Sequence, residues 1–212
     1  MRQLAFRATG VVASAMLAAF AGACGKPPGV AGRAAVVVLD NARVRVSRTT
    51  SASLAAVEHG PGVAIPIEDG SARKKGEAYW TTGKDKESSA TDEGPLVFVE
   101  PKPIATGAPP SQVGSKPGEA TFVGMSFKTL FENEMVTAMR ARMDVGASEG
   151  LHTHGSDTLV IHLSGGEIED TANGTTSVNR WKPGDVEFES RGSSHSARNI
   201  GQAVDVVLVA LK

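Results

Sequence analysis

The sequence contains a single cysteine, few aromatic residues and almost no net charge. One cysteine in 212 residues excludes an internal disulfide framework and any zinc or iron–sulfur site built from several thiolates. The formal charge of −1 offers no basic surface for nucleic acid, and an aromatic content of 5% leaves few rings for stacking on single-stranded bases. The 24 glycines and 11 prolines imply many turns. These features predict a soluble, β-dominated protein of one or two domains.

The first 23 residues have the composition of a secretory signal peptide. Arg2 and Arg7 precede an apolar stretch over 8–20, and the segment contains no acidic residue. Residues 21–23, with the sequence Ala-Gly-Ala, form a cleavage signal. A membrane-spanning helix needs about 20 apolar residues, which is more than this stretch provides. We therefore expect residues 1–23 to be removed during export.

Cys24, the only thiol, stands directly after this cleavage signal. The segment resembles a bacterial lipoprotein signal, in which the cysteine becomes the lipidated first residue. Ala21 replaces the leucine that is usual in such signals, so ordinary cleavage that leaves a free thiol is the alternative. The resemblance implies a membrane-anchored protein in the periplasm or on the outer cell surface, with residues 24–34 as a tether.

The rest of the chain contains two stretches with the same plan. Residues 44–48 and 136–140 are candidate strands that follow similar turns. Each candidate strand is followed by a His-Gly pair, which is His59-Gly60 in one stretch and His154-Gly155 in the other. An apolar run follows each pair and ends at a glycine at the same distance from the histidine. The pattern indicates an internal repeat.

A proline-rich segment separates the two stretches, because residues 101–117 contain five prolines together with glycine and serine. We predict an N-terminal domain over 35–103, a linker over 104–118 and a C-terminal domain over 119–212. Both domains are predicted to be all-β. Beyond the linker, the only helical pattern is a weak one over 127–135.

The second stretch contains a pattern typical of a metal site. His152 and His154 occupy alternate positions, and on a strand alternate side chains face the same side. A third imidazole, His195, lies beyond another predicted strand, and a sheet that folds back would bring it to the first two. Imidazole nitrogens suit Zn, Cu, Fe and Ni. The three histidines are therefore predicted metal ligands.

These residues resemble the two motifs of the cupin superfamily. The residues that match the first motif are Gly146, His152, His154 and Gly165. The residues that match the second motif are Gly184, Gly192, His195 and Asn199. The resemblance implies an all-β protein of two tandem cupin-like barrels, each a double-stranded β-helix or jelly roll, and therefore a bicupin. It says little about function, since this fold hosts many unrelated activities.

One ligand of the family is missing. Thr158 stands where the family has a glutamate, and Asp157 is one step out of phase with it. The resemblance then implies a site of three nitrogens, like that of some iron-dependent cupin dioxygenases, with Zn or Fe favoured and Mn, Ni or Cu as alternatives. A metal-free barrel is a further alternative. The N-terminal half keeps only His59 of the four ligand positions, so we predict a structural role for it.

Two functions remain open at this point. The missing glutamate and the degenerate first half favour a module that binds a divalent metal or a small molecule without turnover. The alternative is a metal-dependent enzyme acting on a small molecule, for which Asp157, Glu187 and His162 are the only acid–base candidates, none of them assigned as catalytic. We expect no nucleic-acid partner. The oligomeric state is open, with a dimer as one alternative.

Overall fold

The computed structural model describes residues 35–83, 94–103, 107–108, 110–111 and 121–212. The predicted signal peptide, Cys24, the tether and most of the predicted linker lie outside the described residues. Among the described residues, no helix has the length and apolar character needed to cross a membrane.

The N-terminal part of the described chain forms one antiparallel sheet. Its strands are β1 (Val36–Asp40), β2 (Val44–Thr50), β3 (Gly62–Pro66), β4 (Tyr79–Thr81) and β5 (Pro95–Pro101), in the spatial order β1-β2-β5-β3-β4. A short helix, α1 (Ser51–Ala55), follows β2, and the side chain of Thr50 caps it by accepting a hydrogen bond from the Ser53 amide.

The C-terminal part forms a larger antiparallel sheet that curls around a cavity. Its strands are β6 (Phe122–Glu132), β7 (Val136–Thr153), β8 (Thr158–His162), β9 (Gly166–Ala172), β10 (Thr175–Trp181), β11 (Val186–Glu189), β12 (Ser194–Asn199) and β13 (Val204–Leu211). The order is β10-β9-β12-β7-β13-β8-β11, and β6 lies off this path and pairs with the long strand β7. The predicted all-β fold class is confirmed.

The predicted weak helix over 127–135 is wrong. Residues up to Glu132 belong to β6, and a turn follows before β7 begins at Val136. Strand β6 pairs with β7 from Phe122 to Glu132, with two irregularities. Pairing with the next strand supplies hydrogen bonds to the part of the segment up to Glu132 and so outweighs its weak local helix pattern.

Five strands of the second sheet repeat the order of the first. The run β6-β7-β13-β8-β11 corresponds to β1-β2-β5-β3-β4. The hairpin turns also correspond: the side-chain oxygen of Asn41 accepts from the amides of Arg43 and Val44, and that of Asn133 accepts from the amides of Met135 and Val136. The repeated sequence pattern thus coincides with a repeated strand order, while the division into two domains remains a prediction.

Three strands of the second sheet have no counterpart among the residues described for the first. These are β9, β10 and β12. Strands β9 and β10 form a hairpin whose turn, Asn173-Gly174, has φ values of 51° and 75°. Asn-Gly is the sequence that favours such a left-handed two-residue turn.

The main hydrophobic core is shared by the two sheets. Its buried members are Val44, Val46, Val63, Ile65, Val97 and Val99 from the first sheet, and Val136, Leu159, Ile161, Leu163, Val207, Val209 and Leu211 from the second or its adjoining turn. An ion pair between Arg43 and Asp157, with Nε and Oδ2 2.7 Å apart, also joins the two sheets. The burial of these faces against each other is the main source of hydrophobic stabilisation.

The contact between the sheets is reciprocal at two equivalent turns. Arg48 of β2 donates from Nε to the carbonyl of Gly184 at 2.9 Å, and Arg140 of β7 donates from Nη1 to the carbonyl of Lys75 at 3.3 Å. Gly76 and Gly184 have φ values of 76° and 83°, so each turn uses the left-handed backbone that glycine adopts without strain. Each half therefore holds the corresponding turn of the other.

Candidate metal centre

The second sheet encloses a cavity of about 470 Å³. Most of its wall is apolar, and the wall includes Met125, Met139, Met143, Val160, Ile168 and Trp181. Polar groups also line it, and four histidines and four carboxyl groups are among them. A cavity of this size and character suits a small organic ligand.

Strand alternation separates the cavity from the shared core. Along β8, Leu159 and Ile161 belong to the shared core, whereas Thr158, Val160 and His162 line the cavity. This is the expected consequence of a period of two along a strand. The same strand therefore contributes to the packing between sheets and to the site.

The structure brings the three predicted metal-ligating histidines together. His152 lies near the end of β7, His154 comes directly after that strand, and His195 of β12 is the register partner of His152. The Nε2 atoms of His154 and His195 are 3.1 Å apart, and each of the three residues offers a nitrogen within 4.8 Å of the others. When two nitrogens each lie 2.0–2.1 Å from one ion, their separation is close to the 3.1 Å between these two Nε2 atoms.

Hydrogen-bond acceptors orient the imidazoles. The Nδ1 atom of His152 lies 2.9 Å from the carbonyl oxygen of Gly150, and Nδ1 of His195 lies 2.7 Å from Oδ1 of Asp170. Since a carbonyl and a carboxylate accept, Nδ1–H donates in both cases and Nε2 keeps its lone pair. This arrangement, with an acceptor on the outer nitrogen, is typical of histidines that bind metals.

Carboxylates that the sequence analysis did not single out surround the histidines. Glu189 lies with Oε2 3.5 Å from Nδ1 of His154 and Oε1 3.8 Å from Nε2 of His195. Glu149 lies with Oε2 3.7 Å from Nε2 of His195. Sequence reasoning missed Glu189 because it comes from β11, whose pairing is long-range. Glu149, three residues before His152, is closer in the sequence, but strand alternation alone would have placed it on the opposite face.

The cluster is buried, and burial governs its protonation. Burial and the neighbouring carboxylates raise the pKa of Glu189 to about 9, and burial is the main cause that raises the pKa of Glu187 to about 7. Burial also raises the pKa of Glu149. Burial and the two other histidines lower the pKa of His154 to about 4. The His154 ring is therefore neutral at pH 7, as a metal ligand must be.

The donor set fits a divalent metal ion. Three imidazole nitrogens converge, and carboxyl oxygens of Glu189 and Glu149 lie beside them. Such nitrogen-rich sites suit Zn or Fe, and a bound cation would favour the ionised form of the buried carboxylates. The metal, when bound, supplies a Lewis acid at one end of the cavity.

The remaining acid–base candidates lie in different places. Glu187 and His162 line the cavity, whereas Asp157 does not. Asp157 is bound by Arg43 and accepts a hydrogen bond from the Arg191 amide at 2.9 Å. Its position therefore indicates a structural role, in keeping with its expected phase on the other side of the strand.

The first half holds no comparable cluster among its described residues. His59 lies after α1, where its ring packs edge-on against Phe98 with centroids 4.8 Å apart, and its Nδ1 lies 2.7 Å from the carbonyl oxygen of Gly60. This arrangement agrees with the structural role predicted for the first half.

No family model and no curated protein matches this chain. Solved structures resemble part of it. A cupin domain from Bordetella pertussis is 19% identical over 44% of this chain and 99% of its own, with a TM-score of 0.40. An RmlC-like cupin from Shewanella frigidimarina is 19% identical over 46% and 88%, with a TM-score of 0.36. The polyketide cyclase RemF from Streptomyces resistomycificus is 18% identical over 44% and 69%, with a TM-score of 0.39.

Proposed function

We propose that the second sheet binds a divalent metal ion through His152, His154 and His195 and takes a small apolar molecule into the adjoining cavity. The observation that carries the proposal is the convergence of the three imidazoles. In addition, the Nδ1 atoms of His152 and His195 each lie within hydrogen-bonding distance of an acceptor oxygen. Zn or Fe is the proposed ion, since the site is rich in nitrogen. The first half, by its packing, supports the second.

The cavity wall indicates the chemistry of the molecule. No lysine or arginine among the described residues lines the cavity, and methionine and aliphatic side chains form much of its wall. An uncharged or weakly polar ligand is therefore favoured over a phosphate or a sugar acid. Methionine side chains adapt to irregular or aromatic ligands.

The experiment is elemental analysis of purified protein and its variants. We expect about one ion per chain in the wild type and in His59→Ala, and loss of stoichiometric metal in His195→Ala, because two remaining imidazoles bind weakly. Equal metal content in the wild type and His195→Ala would overturn the proposal and leave a metal-free barrel.

Glu189 is the proposed fourth ligand. Its two carboxylate oxygens face two of the three histidines, and in the sheet it pairs with Thr158. Glu189→Gln should weaken metal binding about 10–100-fold. Glu167→Gln, which removes an exposed carboxylate that binds Arg180, is the matched control and should leave metal affinity unchanged.

A metal-dependent enzyme is the second candidate function. The observation that favours it is Glu187, a carboxyl that lines the cavity and whose pKa burial raises to about 7, the range of a general acid or base at neutral pH. Iron in the purified protein, together with oxygen-dependent consumption of a small molecule that His195→Ala abolishes, would favour the enzyme. Zinc without any turnover would favour the binding module.

Export and anchoring at Cys24 complete the proposal. They are supported by the sequence of the first 24 residues, which matches a lipoprotein signal in its charge, apolar stretch and cleavage signal. Cys24→Ser should convert a membrane-associated protein into a soluble exported one. Identical soluble fractionation of the two forms would contradict the anchor. We further propose the bicupin arrangement, from the shared strand order.

A further inference from the structure

The cavity contains a buried imidazole that the metal site does not use. His162 is 2% exposed, and neither of its ring nitrogens has a hydrogen-bond partner among the described residues. It is the last residue of β8, four positions after Thr158. At about 3.3 Å per residue, the two positions are about 13 Å apart along the strand. His162 therefore marks a different part of the cavity from the three histidines.

Packing fixes the plane of this ring. The ring stacks on that of Trp181 with centroids 4.5 Å apart and an interplanar angle of 15°. Val206 is its register partner on β13, and Val160 lies two residues before it on the same face. Stacking covers a face of the imidazole, and both nitrogens on its edge are closed to solvent in this structure, so a ligand group reaches them where a small shift of the cavity wall admits it.

An unpaired buried nitrogen selects among ligands. Both nitrogens are unsatisfied among the described residues, so a ligand group that pairs with one of them removes part of the desolvation penalty, whereas a purely apolar ligand does not. Neutral imidazole has one donor and one acceptor, so a hydroxyl or a carbonyl group can pair with it. Burial lowers the pKa of His162 to about 4, so the ring is neutral at pH 7 and does not attract a carboxylate by charge.

We propose that His162 is a second recognition residue, which forms a hydrogen bond with a hydroxyl or carbonyl group on a ligand whose body is apolar. This inference rests on the proposed binding of an apolar molecule in the cavity, and it does not require the metal. It defines the ligand class as an apolar, ring-containing or branched molecule that carries one neutral polar group remote from the metal end. Trp181 and the methionines supply the surface against which the apolar body packs.

The test uses 1-naphthol and naphthalene as probes, because they differ by one hydroxyl group. Dissociation constants are measured at pH 7 by calorimetry or by Trp181 fluorescence, for the wild type, His162→Phe and His162→Gln. Each protein is tested as purified and after chelator treatment, so that binding of naphthol to the metal is separated from binding at His162. The metal content of the same samples is measured in parallel.

We expect the preference for naphthol over naphthalene to fall about tenfold in His162→Phe, with and without chelator, and to be partly kept in His162→Gln. Comparing ratios between proteins cancels the difference in solvation of the two probes. A ratio unchanged by either substitution, or a wild type that binds neither probe, overturns the inference. Absence of metal together with a His162-dependent ratio overturns the metal proposal alone, so the two failures are distinguishable.

Discussion

The two sheets share a five-stranded plan, but equivalent side chains pack into a filled cluster in the first sheet and line a cavity in the second. In the first sheet, Ala64, Leu96 and Phe98 pack with Leu54 of α1 into a filled cluster. In the second sheet, the corresponding residues, Val160, Val206 and Leu208, line the cavity instead. A short helix and an aromatic ring thus fill in one half the space that remains open in the other.

The site belongs to what the second sheet adds. Strand β7 has 18 residues against 7 in β2, and its extension carries His152. Strands β9 and β12 carry Asp170 and His195. Where β11 provides Glu187 and Glu189, the equivalent strand β4 has Tyr79 and Thr81. The comparison teaches that the five shared strands build the core, whereas the site is built by the added segments together with different side chains on the shared strand β11.

The largest expected effect tests whether the halves depend on each other. Ile65 and Ile161 occupy equivalent positions in the shared core, and both are fully buried. Ile65→Ala and Ile161→Ala should each lower the free energy of unfolding by about 2–5 kcal/mol in one common transition, since each leaves a cavity in the same cluster. Urea denaturation followed by circular dichroism measures this. Ile200→Ala, at an exposed residue, is the control, and two transitions that each respond to a single substitution would contradict a shared core.

The second effect concerns His162, the last residue of β8. The equivalent strand β3 ends at Pro66, which does not titrate. Burial lowers the folded-state pKa of His162 to about 4, and nearby Asp185 opposes this in part. Above about pH 6.5 the ring is neutral in both states; below it the unfolded chain takes up a proton that the folded protein does not. Stability should therefore fall as the pH falls from 6.5 to 4, by about 3 kcal/mol more in the wild type than in His162→Gln. Parallel pH profiles of unfolding for the two proteins would refute this.

The smallest effect tests the reciprocal turns. At Gly76 and Gly184 an added Cβ would approach Leu163 and Ile67 to 2.5 and 2.9 Å, on a left-handed backbone. Gly76→Ala and Gly184→Ala should each cost about 2 kcal/mol, because the left-handed strain is joined by a steric contact. Gly146→Ala has a similar φ with open space around it and should cost about 1 kcal/mol. Thermal unfolding checks the order, and an equal loss in all three variants would exclude the steric contribution.

Much of the fold follows from patterns within short stretches of sequence. The turn residues before them and their short length identified the strand segments around Val44 and Val136, and the similarity of their surroundings identified the repeat. The spacing of His152 and His154 placed two ring nitrogens in one space. The weak helical pattern over 127–135 failed because the hairpin with β7 pairs the backbone of these residues up to Glu132, which the helical pattern does not take into account.

The sequence by itself determined the all-β class and the His-x-His pair, since strand periodicity and turn residues act locally, and the resemblance of its motifs to a known family pointed to His195 as the third histidine. Only the tertiary structure decided that Glu189 stands opposite Thr158, that Asp170 orients His195, and that the cavity is open in one half and filled in the other. These features depend on which strands become neighbours and on how side-chain volumes fill the space between them. Both are settled by packing between residues far apart in the chain, which no local pattern encodes.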